Sequence, residues 1–171
     1  MLRIVPSVSS RLAEFRQFWD AAVAWQTARG LPLSPPFPEH LIRPEMADGL
    51  HFMGLRRDDL CAGFFSVTLS DRVLWGERDR DDGIYIHRMC VNPLAKGERF
   101  AAGVLAWAHG HAAGRGRAFV RLDTWADNDR LVAYYGGCGY RLVGFRDVGD
   151  APTLSAHYHG IRLALFENPV A

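Results

Sequence analysis

Three groupings between Tyr85 and Gly144 could do chemistry. The first is His87, in Tyr85-Ile86-His87-Arg88-Met89-Cys90-Val91. An imidazole, with an ordinary pKa of about 6.5, can take a proton from a nucleophile directly or through water. The second is the pair Tyr134-Tyr135. A phenol of pKa about 10 stays protonated at neutral pH and can supply a proton to a leaving group. Successive helical residues point about 100° apart, so only one of the two can hold such a position. The third grouping is backbone: Val91-Asn92-Pro93, then Lys96-Gly97-Glu98-Arg99-Phe100-Ala101-Ala102. Backbone N–H groups at a helix start, helped by the helix dipole, bind a diphosphate without any side-chain charge, and small residues let it approach.

Each has a plainer reading. His87 could bond a neighbouring backbone group, both tyrosines could pack on a sheet, and Lys96 and Arg99 could be solvated charges at a helix start. Glu77, Asp79, Asp81 and Asp82 could also act as bases, but segment 76–83 reads first as a solvated hairpin loop. His157 and His159 alternate onto one strand face. No third ligand accompanies them, and no metal is expected.

The elements that must position these groups follow from periodicity. A short strand over 2–6 precedes a helix capped by Ser9 or Ser10. Leu12, Phe15, Trp19, Ala22 and Val23 form its inner face, and Gly30 stops it. Pro32, Pro35, Pro36 and Pro38 dictate a loop, and a short helix over 38–46 follows. Strands are predicted over 51–56, 61–69 and 84–91, the last ended by Pro93. A helix over 98–113 packs through Val104, Leu105, Ala108 and Ala112. A strand over 118–125, a short helix over 129–137 and strands over 140–147 and 155–166 complete the chain. Helices alternating with strands after an antiparallel start argue for one α/β domain over 1–171: a single mixed, mostly antiparallel sheet flanked by helices.

The 171 residues are 49% hydrophobic and 23% charged, which excludes disorder and leaves a globular chain able to bury a core. With 20 basic against 19 acidic residues the net charge is +1, so no nucleic-acid partner is expected. Cys61, Cys90 and Cys138 are odd in number and lack metal spacing. They fit buried free thiols in a reducing compartment. No membrane span or signal peptide is evident, and the default location is cytoplasmic.

Taken together, the motifs over 85–144 resemble the acetyl-CoA half of the GCN5-related N-acetyltransferase (GNAT) family. That family carries Gln or Arg, two residues, Gly, one residue, then Gly or Ala after a Val-x-Pro strand end. Lys96 stands at the first position, Ala101 at the last, and Arg99 where the family usually has Gly. Asn128, Tyr135 and Gly139-Tyr140 are similar to the family's Asn-rich helix start, its tyrosine and its Gly-Phe. The strand Tyr85–Val91 is similar to the His-x-His-x-Leu-Ala-Val strand of serotonin N-acetyltransferase, with His87 at the second histidine.

The resemblance implies a GNAT-like fold and direct transfer of an acetyl group from acetyl-CoA to an amine. It implies Tyr135 as the acid that protonates the leaving thiolate and His87 as a base toward the amine. Cofactor contacts would come from the backbone of Met89, Cys90 and Val91, from the turn Lys96, Gly97, Glu98, Arg99, Phe100, Ala101 and Ala102, and from Asn128 and Tyr135. Asn128 could equally cap its helix. Cys90 is read as an inert core residue rather than an acyl carrier. The acceptor would be a small-molecule or peptide amine, and a homodimer is allowed. The alternative is a non-catalytic acyl-CoA-binding or sensor domain.

Overall fold

The computed structural model describes residues 2–30, 35–149 and 158–170. Two compact units make up the chain: Met1–Val67 with Arg88–Phe100, and Thr68–His87 with Ala101–Ala171.

In the first unit, strands β1 (Arg3–Pro6), β2 (His51–Leu55) and β3 (Cys61–Thr68) pair antiparallel, Arg3 opposite Leu55 and His51 opposite Ser66. Helices α1 (Leu12–Thr27) and α2 (Glu39–Ala47) supply the apolar faces. Leu12, Phe15, Phe18 and Trp19 of α1 cluster with Ile42 and Met46 of α2 and with Met53, Leu55 and Phe64 of the strands. The apolar spacing that predicted α1 therefore reports a buried stripe. The predicted cap does not form. Ser9 and Ser10 lie in a 3-10 turn, and α1 opens at Leu12 with no side-chain cap.

In the second unit, α3 (Arg72–Trp75) precedes β4 (Gly83–Val91), whose last four residues belong to the first unit. Then come α4 (Phe100–Ala113), β5 (Phe119–Trp125), α5 (Asp129–Gly137), β6 (Arg141–Asp147) and β7 (Arg162–Pro169). The start of β4 runs parallel to β5, while β7 pairs antiparallel with both β5 and β6. The sheet is thus mixed and mostly antiparallel, with strand order β1-β2-β3-β4-β5-β7-β6. Ala101, Val104, Leu105, Ala108 and Ala112 are buried, so α4 packs through the stripe its spacing predicted. The start of the expected strand over 155–166 lies outside the described residues, and of the rest Tyr158–Gly160 form a turn, so the strand begins at Arg162 and runs on to Pro169.

Segment 76–83 is solvated at Glu77, Arg78, Arg80 and Asp81, but not throughout. Trp75 is buried, Gly76–Arg78 forms a 3-10 turn, and Asp79 is only 4% exposed. Its carboxylate accepts from Ser70 Oγ at 2.7 Å and from the N–H groups of Asp71 and Asp81 at 2.7 and 3.2 Å. Burial alone would raise its pKa. These hydrogen bonds, together with that of Tyr85, outweigh burial and hold it below the usual carboxylate range. Asp82 and Glu167 pair with buried Arg121, and Asp81 pairs with Arg117. Asp79 and Asp82 are therefore tied up in structural bonds, while Asp81, beside Arg117, and Glu77 are exposed.

Candidate active site

The parallel ladder between β4 and β5 runs from Gly83 opposite Phe119 to Ile86 opposite Leu122. The next residue on each strand is His87 and Asp123. Strand alternation puts His87 on the face of Tyr85, and Asp123 on the face of Arg121. These are one face, because Arg121 donates to the Tyr85 hydroxyl at 2.8 Å. Asp71, the cap of α3, joins them. One ligand atom from each of Asp71, His87 and Asp123 lies within 4.8 Å of the others.

Local bonds orient the trio. Asp71 Oδ1 accepts from Leu74 N–H at 3.1 Å, and Asp71 Oδ2 lies 3.6 Å from His87 Nε2. Thr68 Oγ1 is 3.1 Å from the same nitrogen, and the Tyr85 ring stacks along His87 at 6.5 Å. The Trp75 indole N–H donates to Asp123 Oδ1 at 3.4 Å. Asp123 keeps some accessible surface as a residue while its carboxyl is enclosed. That burial pushes its pKa up to about 6, and burial likewise raises Asp71. Two desolvated carboxyls beside an imidazole can accept and pass a proton.

Tyr135, in α5, packs against Tyr134, Tyr140 and Phe166 with ring centroids 5.5, 5.8 and 5.8 Å away. Burial, then the charges of Tyr134 and Asp123, raise its pKa, so the phenol stays protonated. Tyr134 is 39% exposed, which separates the two tyrosines as their helical spacing requires. Tyr140 donates its hydroxyl to the Ala101 carbonyl at 3.3 Å. The Asn128 side chain accepts from Leu131 N–H at 3.1 Å, so it caps α5.

The turn is built by the first unit. Asn92 donates Nδ2–H to the Cys61 carbonyl at 2.7 Å and accepts from Leu94 N–H at 2.9 Å. The Phe100 ring fills space left by two strand glycines: a Cβ on Gly54 or Gly63 would come within 2.8 or 2.9 Å of it. Lys96, Gly97, Glu98 and Arg99 are exposed between these anchors. Lys96 lies over the Trp25 ring at 5.1 Å, and Glu98 pairs with Arg56 at 3.0 Å. Arg99 has φ +52°, so it adopts the left-handed conformation that glycine usually supplies, at a cost of about 1–2 kcal/mol. The turn keeps its left-handed residue without the glycine. An exposed helix start with an adjacent lysine suits an anionic diphosphate.

Met89, Cys90 and Val91 follow Arg88, whose φ is +50° and whose guanidinium pairs with Glu45. Burial pushes the Cys90 thiol up to about 12 and Cys61 to about 11, which makes both poor nucleophiles. His157 lies outside the described residues. Among those described, His87 and Tyr135 belong to the second unit, and the turn from Lys96 to Phe100 to the first. Asp71 and Asp123 were not singled out from the sequence. An aspartate inside the strand Phe-Val-Arg-Leu-Asp-Thr-Trp was the available signal, because aspartate is depleted in strands.

The family model described as "Acetyltransferase (GNAT) family" matches residues 16–140. The chain belongs to this family of acetyl-CoA-dependent acyltransferases. It is 36% identical over 74 residues to the uncharacterized N-acetyltransferase YesJ of Bacillus subtilis (strain 168). That match spans 43% of this chain and 41% of the relative's length. Its fold is similar to a GNAT-family acetyltransferase structure from Listeria monocytogenes, with TM-score 0.75 and 16% identity over 98% of this chain and 94% of that one. It is also similar to yncA of Salmonella typhimurium, whose structure holds its cofactor acetyl-CoA, with TM-score 0.66 and 11% identity over 100% and 95%. No helix among the described residues is long and apolar enough to cross a membrane.

Proposed function

We propose that the protein is an N-acetyltransferase that moves the acetyl group of acetyl-CoA directly to an amine. The observation that carries this reading is the convergence of a proton acceptor and a proton donor in one unit. His87 stands where the β4–β5 ladder ends, and the phenol of Tyr135 feels the charge of Asp123 from the same cluster. The turn over 96–102 holds the diphosphate of CoA, and the backbone of Met89, Cys90 and Val91 bonds the pantetheine arm as an added strand would.

The amine nitrogen bonds the acetyl carbonyl carbon and gives its proton to His87. The C–S bond then breaks, and the departing thiolate takes the proton of Tyr135. His87 then releases its proton to solvent, and solvent supplies the proton that restores the phenol. Asn128 already caps α5, so its contact with the cofactor runs through its remaining polar atoms.

The test is calorimetry with acetyl-CoA, followed by thiol release with a panel of amines. Tyr135→Phe is expected to lower turnover by about 100- to 10,000-fold while leaving acetyl-CoA affinity unchanged. Tyr134→Phe is expected to change little. Equal effects of the two would remove Tyr135 as the acid. Tight acetyl-CoA binding with no turnover on any amine would turn the reading to a non-catalytic acyl-CoA-binding domain.

A further inference from the structure

We infer, on the acetyltransferase reading above, that Asp71, His87 and Asp123 together hold the acceptor as a primary alkylammonium ion, and that they reject acceptors with a carboxylate beside the amine. Asp71 and Asp123 are then specificity-determining residues.

The three ligand atoms come from three separate segments and lie within 4.8 Å of one another. Three acceptors, each about 2.8 Å from a tetrahedral nitrogen, stand about 4.6 Å apart. The 4.8 Å limit on the cluster admits an –NH3+ group. A metal ion with bonds of about 2.1 Å would draw its ligands to about 3–3.4 Å of each other. Asp71 and His87, 3.6 Å apart, lie between the two spacings and part to admit the ammonium.

Asp71 Oδ2 is buried, and no hydrogen bond reaches it. An acceptor desolvated without a partner is costly, and a cation placed against it relieves that cost. The surrounding charges leave the cluster negative. The Arg146 guanidinium bears on Asp71 as a cation, while Asp79 and Asp123 add negative charge nearby. A carboxylate next to the incoming amine would add a further anion to this enclosed group and be repelled. The Trp75 and Tyr85 rings, 5.5 Å apart and edge to face, are buried behind the cluster and keep that side of it dry.

In the bound state the ammonium donates to both carboxylates and to the imidazole. One of its protons passes through His87 to solvent, which frees the nitrogen lone pair for the thioester and leaves His87 able to take the second proton on attack. Three N–H donors are needed to satisfy three acceptors, so a primary amine is favoured over a secondary one.

The experiment uses matched pairs that differ only in the carboxylate: tyramine with tyrosine, and pentylamine with norleucine. Each is titrated into the CoA-bound protein and assayed for thiol release with acetyl-CoA. The amines are expected to bind and react at least about 100-fold better than their amino acids. Asp71→Asn and Asp123→Asn are each expected to raise the KM for amine at least about tenfold, with the acetyl-CoA Kd from calorimetry unchanged. The assignment is overturned if the amino acids match the amines, if neither kind binds, or if either variant keeps the amine KM. It is also overturned if a divalent metal co-purifies at one per chain and is lost in Asp71→Asn. Failure to bind acetyl-CoA would instead sink the acetyltransferase reading itself, and calorimetry reads that separately.

Discussion

His51 and His87 both sit on strands among aromatic rings, one in each unit, yet their surroundings differ. His51 is fully buried between Phe15 and Phe64, with ring centroids 4.9 and 5.9 Å away. Neither of its ring nitrogens has a hydrogen-bond partner among the described residues. Burial lowers its pKa to about 4, and it serves as a neutral, flat core residue. His87 meets a threonine hydroxyl and a carboxylate, with a second carboxylate in the same cluster. An imidazole in an apolar shell cannot hold a proton, whereas one beside carboxylates can receive and pass one. The residue type is the same. The neighbours brought from elsewhere in the chain set what it can do.

The sharpest way to break this contrast is activity. His87→Ala is expected to lower turnover by about 100- to 10,000-fold, and folded His51→Leu to leave it unchanged. Equal losses in the thiol-release assay would mean that His87 is as structural as His51.

Stability against pH sharpens the contrast further. The folded pKa of His51, about 4, lies below its unfolded value of about 6.5, so the unfolded chain binds the extra proton. This contribution is fully present above pH 6.5 and is lost as pH falls toward 4, up to about 3 kcal/mol. Urea unfolding at pH 7 and pH 4.5 should show the loss in the wild type and a smaller one in His51→Leu. Parallel losses in both would remove His51 as the acid-sensitive group.

Asp123 runs the other way, with a smaller effect. Its folded pKa, about 6, lies above the ordinary 3.8, so its contribution is present below pH 4 and lost as pH rises through 6. Asp123→Asn should then stabilise the protein by about 1–2 kcal/mol at pH 7.5, with partial accessibility of the residue reducing the figure. At pH 4 it should do almost nothing. The same gain at both pH values would show that burial of charge is not the cause.

Much of the scaffold was legible because its signals are local. The stripe Val104, Leu105, Ala108 and Ala112 reported the buried face of α4, and Asp129–Gly137 was placed at its observed bounds. Pro93 and Gly97 marked the turn before that helix. The Ser9 and Ser10 cap failed because a 3-10 turn took up those residues. Asp79 was hidden in a segment whose charges suggested water, since six charged residues in a row say nothing about which of them turns inward.

By itself, then, the chain determined most of its strands and helices, the turn before α4 and the two candidates His87 and Tyr135. Each of these depends on residues within a few positions of one another. Only the tertiary structure decided that Asp71, His87 and Asp123 share one enclosed cluster. Their separation along the chain is bridged by a helix cap and by the end of a parallel ladder, and desolvation appears only once both are formed. The left-handed Arg99 was likewise decided by the fold. Phe100 and Asn92 anchor the turn strongly enough to impose a conformation that arginine would not choose.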